Sequence, residues 1–450
     1  MTFPRYGVAL AITLALCYSS AGATSPPSPS GADSAKKLFQ AGKFPEAAEV
    51  YSRILAHNSQ DYSALADPAK GGDGAKSAIV QLGRIALLSN RLTDAQKWLQ
   101  KALALQPGDT DTKVMLGEAF YRDDNFEKAA DALDGIDVGT NQLIISQYPT
   151  LNTAKLASFK GQTPYEVHGN GEITRLKFVK SDVLPVVQVQ VNDGEEVTFF
   201  IDTGNSEVAL DTDFAREVGA QLFGAVQGTF SGGEHTQVQN GRTDSITVGD
   251  WTVKNLPIIV LPLRQVSEGL GVKRIDGCIG TNLLYHFLAT LDYRNSELVL
   301  RRKTAKGNKL FAASSSGKRN VVPFWIAGDH FMVGWGRVET IPPALLFVDT
   351  GLAGAGVKLA ESVIKQAKIT LEQDKATQGA GAGGQLTTVP YVVRRLSFGS
   401  VQENNVPGLY DGPFPWEEIF GFHLAGMVGH DFFKRYSVTF DFENMKFFLQ

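Results

Sequence analysis

The chain changes its hydrophobic period near residue 135, and that change divides it. Before it, apolar positions recur three and four residues apart: Leu82-Gly83, Leu92, Ala95 and Leu99 return as Leu116-Gly117, Phe126, Ala129 and Leu133, each displaced by 34 residues, with Pro107 closing the earlier unit. Such spacing puts one apolar stripe on each of two helices that pack as a hairpin, with small residues where they touch. An earlier unit, Leu38, Gly42, Phe44, Ala47, Tyr51 and Leu55, fits the same frame; it lies 48 residues upstream at Ala47, so 14 extra residues are expected in the Gly-rich stretch Asp67 to Ser77. Later the period becomes two. Leu184 to Val191 alternates, Asn192-Asp193-Gly194 is a hairpin signal, and Glu196 to Ile201 reads as the returning strand. Between these regimes, residues 136–164 are mixed and are expected to connect and pack between the domains.

Two β-region stretches are copies of each other. Val197 to Ile201 leads into Asp202-Thr203-Gly204, and Leu345 to Val348 leads into Asp349-Thr350-Gly351. Each is an apolar run too short for a helix that delivers a carboxylate into a tight turn, and burying a lone carboxylate is costly unless it is paired or hydrogen-bonded. One copy alone reads as a turn closed by its Asp. Each copy, however, has a matched partner downstream: Gly280 follows Asp202 by 78 residues, and Gly429 follows Asp349 by 80. At a constant offset of 149, Gly277 matches Gly426, Thr290 matches Thr439, Asp292 matches Asp441 and Asn295 matches Asn444. Coincidental turns do not carry such partners with them.

The pairing of Asp-Thr-Gly with a later apolar-apolar-Gly, here Cys278-Ile279-Gly280 and Met427-Val428-Gly429, resembles the aspartic peptidases. The short lobes are closer to two fused retropepsin subunits than to pepsin. The resemblance covers roughly residues 165–450 and implies one active site between two lobes, with Asp202 and Asp349 as the catalytic pair, needing no metal and no cofactor. It further implies that Thr203 and Thr350 tie the two loops together and that Gly204 and Gly351 let the backbone approach the carboxyls. Two adjacent carboxylates share one proton, as in the dyads of this peptidase family. The Gly-rich stretches around Gly232-Gly233 and Gly383-Gly384 stand where that family has substrate-covering hairpin flaps. Asn205 and Leu352 depart from the Ala or Ser usual after the Asp-Thr-Gly. The repeats upstream resemble tetratricopeptide units.

The expected fold class is therefore multidomain: an N-terminal α-helical tetratricopeptide array followed by a β-rich bilobal aspartic-peptidase (acid protease) fold. The expected divisions are a signal peptide over 1–23, a flexible linker over 24–33, helical repeats over 34–135, the connecting segment, lobe 1 over 165–302, an interlobe linker over 303–319 and lobe 2 over 320–450. Arg5, the apolar run Gly7 to Cys17 and Ala21-Gly22-Ala23 form the signal pattern, with Leu16 arguing against lipidation of Cys17, so an exported, periplasmic or secreted protein is expected.

Composition adds two constraints. A formal net charge of −4 over 450 residues gives no nucleic-acid footprint, and once the signal is removed the only cysteine is Cys278, which is expected to pack as a small apolar residue. The cations Lys303, Lys306, Lys309, Lys318 and Arg319 read as a solvated linker, and His330, His423 and His430 as ordinary polar residues, because their spacing is not that of metal ligands. The expected activity is peptide-bond hydrolysis by a monomer formed through lobe fusion, with a peptide or protein substrate and a possible protein partner on the helical repeats. Two alternatives stand beside it: a catalytically silent peptide-binding adaptor using the same cleft, and an obligate dimer in which each lobe pairs with its twin. The helical repeats are equally open to a recruiting or a bracing role.

Overall fold

The computed structural model describes residues 30–58, 72–230, 235–314, 319–381 and 384–450. The expected signal segment, with Cys17, lies outside them. Six helices form three hairpins: α1 (Ser30–Gln40) with α2 (Phe44–Asn58), α3 (Gly72–Leu88) with α4 (Leu92–Leu105), and α5 (Thr110–Arg122) with α6 (Phe126–Ala132). The repeat explains the turns as well as the stripes. Gly42, Asn90 and Asp124 occupy equivalent positions and all have positive φ, at 73°, 53° and 54°, the left-handed geometry that Gly, Asn and Asp tolerate best. Gly83 and Gly117 let the helices of a hairpin close up, since a Cβ on Gly83 would stand 2.8 Å from the Leu99 side chain and one on Gly117 3.2 Å from that of Leu133.

Two boundaries differ from expectation. Helix α1 starts at Ser30, inside the expected linker, because Asp33 suits the first turn and Ala35 is fully buried. Helix α3 starts at Gly72, inside the Gly-rich stretch expected to absorb the insertion. The connecting segment holds α7 (Gln142–Gln147), capped by Asn141, and α8 (Thr153–Ala157), capped by Asn152.

All three hairpin turns dock on the β region. Gly42 packs under Leu345, where a Cβ would stand 2.6 Å from its Cδ1; the Asn90 amide donates to the Phe442 carbonyl (3.0 Å); Asp124 meets His286 at 3.0 Å. Phe39 and Phe44 stack edge-on against Phe422, and Phe44 against Trp325. One contiguous set of buried apolar side chains runs from Ala35 to Leu449 through helices and sheets alike, so the helices share the core of the domain that follows.

The β region is bilobal. An eight-stranded sheet holds the first Asp-Thr-Gly, with the strand Glu196–Ile201 lying between Val186–Val191 and, in parallel pairing, Gly277–Ile279. Asn192 and Asp193, both at positive φ, make the expected hairpin between the first two of these strands. A thirteen-stranded sheet holds the second copy, with Ala344–Val348 again parallel to the downstream strand Leu424–Val428. Its far end is formed by strands of lobe 1: Leu288–Asp292 pairs antiparallel with Ser437–Asp441, placing Thr290 opposite Thr439 with their hydroxyls 2.8 Å apart. The offset of 149 is thus a two-fold relation between lobes, and this strand pair lies at its seam.

The expected solvated linker at 303–319 is largely a helix, Ala305–Ala313. Thr304 caps it, accepting from the Gly307 N–H at 2.9 Å, and Phe311 is buried beneath the guanidinium of Arg319, 3.9 Å above its ring. Lys306 and Lys309, three residues apart and exposed, lie on this helix. Lys303 itself lies 4.4 Å from the centre of the Tyr285 ring, and burial pulls its ammonium below the usual lysine range.

Candidate active site

Each Asp-Thr-Gly turn is held by its downstream support. The Asp202 N–H donates to Ile279 O and the Asp349 N–H to Val428 O, both at 3.0 Å, which fixes the carboxyl-bearing residue at the end of its parallel strand pair. The supporting glycines are needed for contact. A Cβ on Gly280 would stand 2.6 Å from Ser206 O, and one on Gly429 2.7 Å from Ala355 O.

The turns then lock onto each other. The Thr203 N–H donates to Thr350 Oγ1 and the Thr350 N–H to Thr203 Oγ1, each at 3.0 Å, while the Thr203 hydroxyl donates to Val348 O at 3.0 Å. Both threonines are completely buried. This crossing brings Asp202 and Asp349 side by side in one cleft, each carboxyl against the glycine of the opposite turn. Each carboxyl also accepts from its own turn, Asp202 from the Gly204 N–H (2.7 Å) and Asp349 from the Gly351 N–H (2.9 Å). Gly351 lies directly against the Asp202 carboxyl, and a Cβ on Gly204 would stand 2.6 Å from Asp349 Oδ1. No side chain larger than hydrogen fits at either position.

Burial pushes both carboxyls above the usual carboxylate range, and the neighbouring Asp202 charge pushes Asp349 further. The result is a pair that keeps one proton after ordinary carboxylates have lost theirs. The protons belong to the pair, not to either residue.

A cleft of about 370 Å³ opens over the pair. Its walls include Phe230 and Val238 from one β-hairpin (Gln221–Thr229 and His235–Val248) and Leu386 and Thr388 from its counterpart in the other lobe (Thr377–Gly381 and Gly384–Phe398). Of the expected flap glycines, Gly232, Gly233 and Gly383 lie outside the described residues; Gly384 pairs with Gly381 at the end of the second hairpin.

Three contributors escaped the sequence reading. His330, expected to be an ordinary polar residue, lines the cleft with its Nε2 2.9 Å from Gly204 O and its Nδ1 2.6 Å from the buried Asp329 carboxylate, which also accepts from the Thr150 hydroxyl (3.0 Å). Among the described residues its tie to the first dyad loop has no counterpart in the other lobe, so the duplication could not reveal it. Lys358 and Asp411, both nearly inaccessible and 2.5 Å apart, also line the cleft. A lysine inside the buried strand Val357–Leu359 was the available signal. Third, Ile145, Ser146, Pro149 and Thr150 of the connecting segment form part of the cleft wall. The other two histidines are elsewhere: His423 faces Glu417 at 3.8 Å, and His430 is buried edge-on to Tyr293.

The departures after the Asp-Thr-Gly are also placed. Both line the cleft: Asn205 donates its amide to Glu207 O (2.6 Å), and Leu352 packs on Gly429. Cys278 lies buried under the dyad loops, where burial raises its thiol well above the usual range.

A family model described as Aspartyl protease matches residues 187–283 and 336–410, and each matched segment contains one Asp-Thr-Gly turn. The chain has an aspartic protease-like bilobal fold. Among solved structures, Basic 7S globulin from soybean is similar at 11% identity over 64% of this chain and 97% of its own, with a TM-score of 0.35. A retropepsin-like aspartic protease from Rickettsia conorii is similar at 19% identity over 31% of this chain and 94% of its own, with a TM-score of 0.21. No curated protein gives a sequence match.

Proposed function

We propose that this protease-like chain is an aspartic endopeptidase in which Asp202 and Asp349 together activate one water against a peptide bond. The observation that carries the reading is the pair itself: two half-buried carboxyls, 147 residues apart in sequence, held side by side at the floor of an open cleft, each against the glycine of the opposite turn. In the singly protonated pair, the ionised carboxylate takes a proton from water as that water attacks the carbonyl carbon. The protonated partner hydrogen-bonds the carbonyl oxygen as negative charge develops on it. Collapse of the tetrahedral species breaks the C–N bond, and a proton held by the pair passes to the departing amine.

The extended edges offered by the two hairpins suit a peptide bound as an added strand. Separation of the carboxyls would have favoured the silent-adaptor reading, and their contact speaks for hydrolysis. Because the pair forms between lobes of one chain, a second copy is not required to complete the site. We further propose export, on the strength of the signal pattern in residues 1–23, and a bracing role for the helical region, which its shared core and its place in the cleft wall support.

The test is hydrolysis of unfolded protein and of a peptide library by the chain lacking residues 1–23. Cleavage is expected below neutral pH and should fall by roughly 100-fold or more in Asp202→Asn and in Asp349→Asn, the scale of a lost general acid–base partner. Activity that persists in both variants refutes the mechanism.

A further inference from the structure

At the interlobe seam lies a pocket of about 610 Å³ that shares no lining residue with the cleft. Lobe 1 contributes Arg175, Arg294 and Arg301 to it, together with one carboxylate, Asp292, and lobe 2 contributes Ser437 and Thr439. Its chemistry is unbalanced. Arg301 is only 5% exposed; one terminal nitrogen donates to the Thr290 hydroxyl (2.8 Å), and its Nε is buried with no hydrogen-bond partner.

Among the described residues no carboxylate lies within ion-pair distance of Arg301, because the local acids are taken. Glu297 holds Arg175 and, at 2.9 Å, Lys177. Asp292 accepts from the Ser437 hydroxyl (2.6 Å) and the Asn295 amide (2.7 Å). Burial, followed by the positive charges of Arg175 and Arg319, pulls Arg301 down to about 10, still above neutral pH, so it remains a cation. A buried charge is normally paired, and an arginine fork with further cations beside it is the arrangement that recognises phosphate.

We propose that the seam pocket binds a phosphate group, held by the Arg301 fork with Arg175 and Arg294 at its rim, and that the ligand joins the two lobes at their pseudo-two-fold axis. The volume admits a phosphomonoester as well as free phosphate. The site is independent of whether the chain hydrolyses peptides.

Binding is tested on the whole chain in a phosphate-free buffer at fixed ionic strength, by titration calorimetry and thermal unfolding with inorganic phosphate, glycerol phosphate or chloride. Saturable heat and a raised Tm are expected with phosphate or glycerol phosphate and not with chloride; the tighter of the two identifies the source. Arg301→Gln should weaken binding roughly tenfold or more while leaving the ligand-free Tm unchanged or higher, because it removes an unpaired buried cation. Exposed Arg294→Gln, which does not threaten folding, should weaken binding severalfold, and exposed Arg337→Gln, in a strand away from the seam, should not. The proposal is overturned by the absence of saturable binding, or by Arg294→Gln and any folded Arg301→Gln binding as the unaltered chain does.

Discussion

Replacing Lys155 by methionine tests whether the helical region sustains the first dyad loop. Lys155 lies on α8, and its Nζ is 2.8 and 3.0 Å from the two oxygens of Glu207, five positions beyond Asp202. Both side chains are completely inaccessible, and the Tyr121 hydroxyl of α5 donates to the same carboxylate at 2.5 Å. Burial alone would raise Glu207 and lower Lys155; their mutual attraction opposes both. At an effective dielectric constant of about 20, charges this close attract by about 6 kcal/mol, and breaking one side of a buried pair costs about 3–5 kcal/mol. Lys155→Met should therefore lower the unfolding free energy at pH 7 by about 3–5 kcal/mol in urea titrations. Glu207 in that variant is left raised further above its unfolded value. A raised carboxyl contributes stability that is present below its unfolded pKa and lost as pH rises through its folded one, so acidification to about pH 5 should recover part of the loss. Lys155→Met combined with Glu207→Gln removes both charges and should lie within about 1–2 kcal/mol of the unaltered chain. If the double variant instead loses the sum of the two single losses, the pair is not a unit and the bracing argument fails.

Two further outcomes follow from the dyad. Gly351→Ala places a methyl against the Asp202 carboxyl, so peptide hydrolysis should fall roughly 100-fold or more while circular dichroism shows the fold retained; activity near normal would mean the turns stand further apart than described. Because burial raises both dyad carboxyls, the native chain binds more protons than the unfolded chain between the ordinary carboxylate range and the range of the pair, and stability there falls as pH rises. Asp349→Asn should flatten that slope and make the chain more stable than its parent at neutral pH, as urea unfolding at pH 4 and pH 8 would show; an unchanged slope would refute the raised pair.

What could be read from the sequence was what occurs twice. The Asp-Thr-Gly copies, their supports and the Asp292–Asn295 and Asp441–Asn444 turns are each constrained by a partner at a fixed distance in the chain. The structure repeats even their details, with Asn295 N–H to Asp292 at 3.2 Å and Asn444 N–H to Asp441 at 3.0 Å. The helical hairpins were legible for the same reason. Features present once were not: His330, the Lys358–Asp411 pair and the wall formed by Ile145 and Pro149 acquire meaning only through residues far away in sequence. The helix Ala305–Ala313 is not legible in its lysines, which read as solvated charge; the burial that holds it comes from Phe311.

These unrepeated features bear on the chemistry because they break the symmetry that the repeat creates. Two identical loops would leave the shared proton equally placed on either carboxyl. Here the first loop is tied through Gly204 O to His330 and backed through Glu207 by the helical region, whereas the second lies near the Lys358 ammonium. The backbone of the pair is therefore two-fold while its electrostatic surroundings are not. The helical region contributes to that difference, since Tyr121 and Lys155 bond Glu207 behind the first loop and Thr150 bonds Asp329, the partner of His330. A duplicated lobe provides the two carboxyls, and the single-copy parts around it determine how unequal they are.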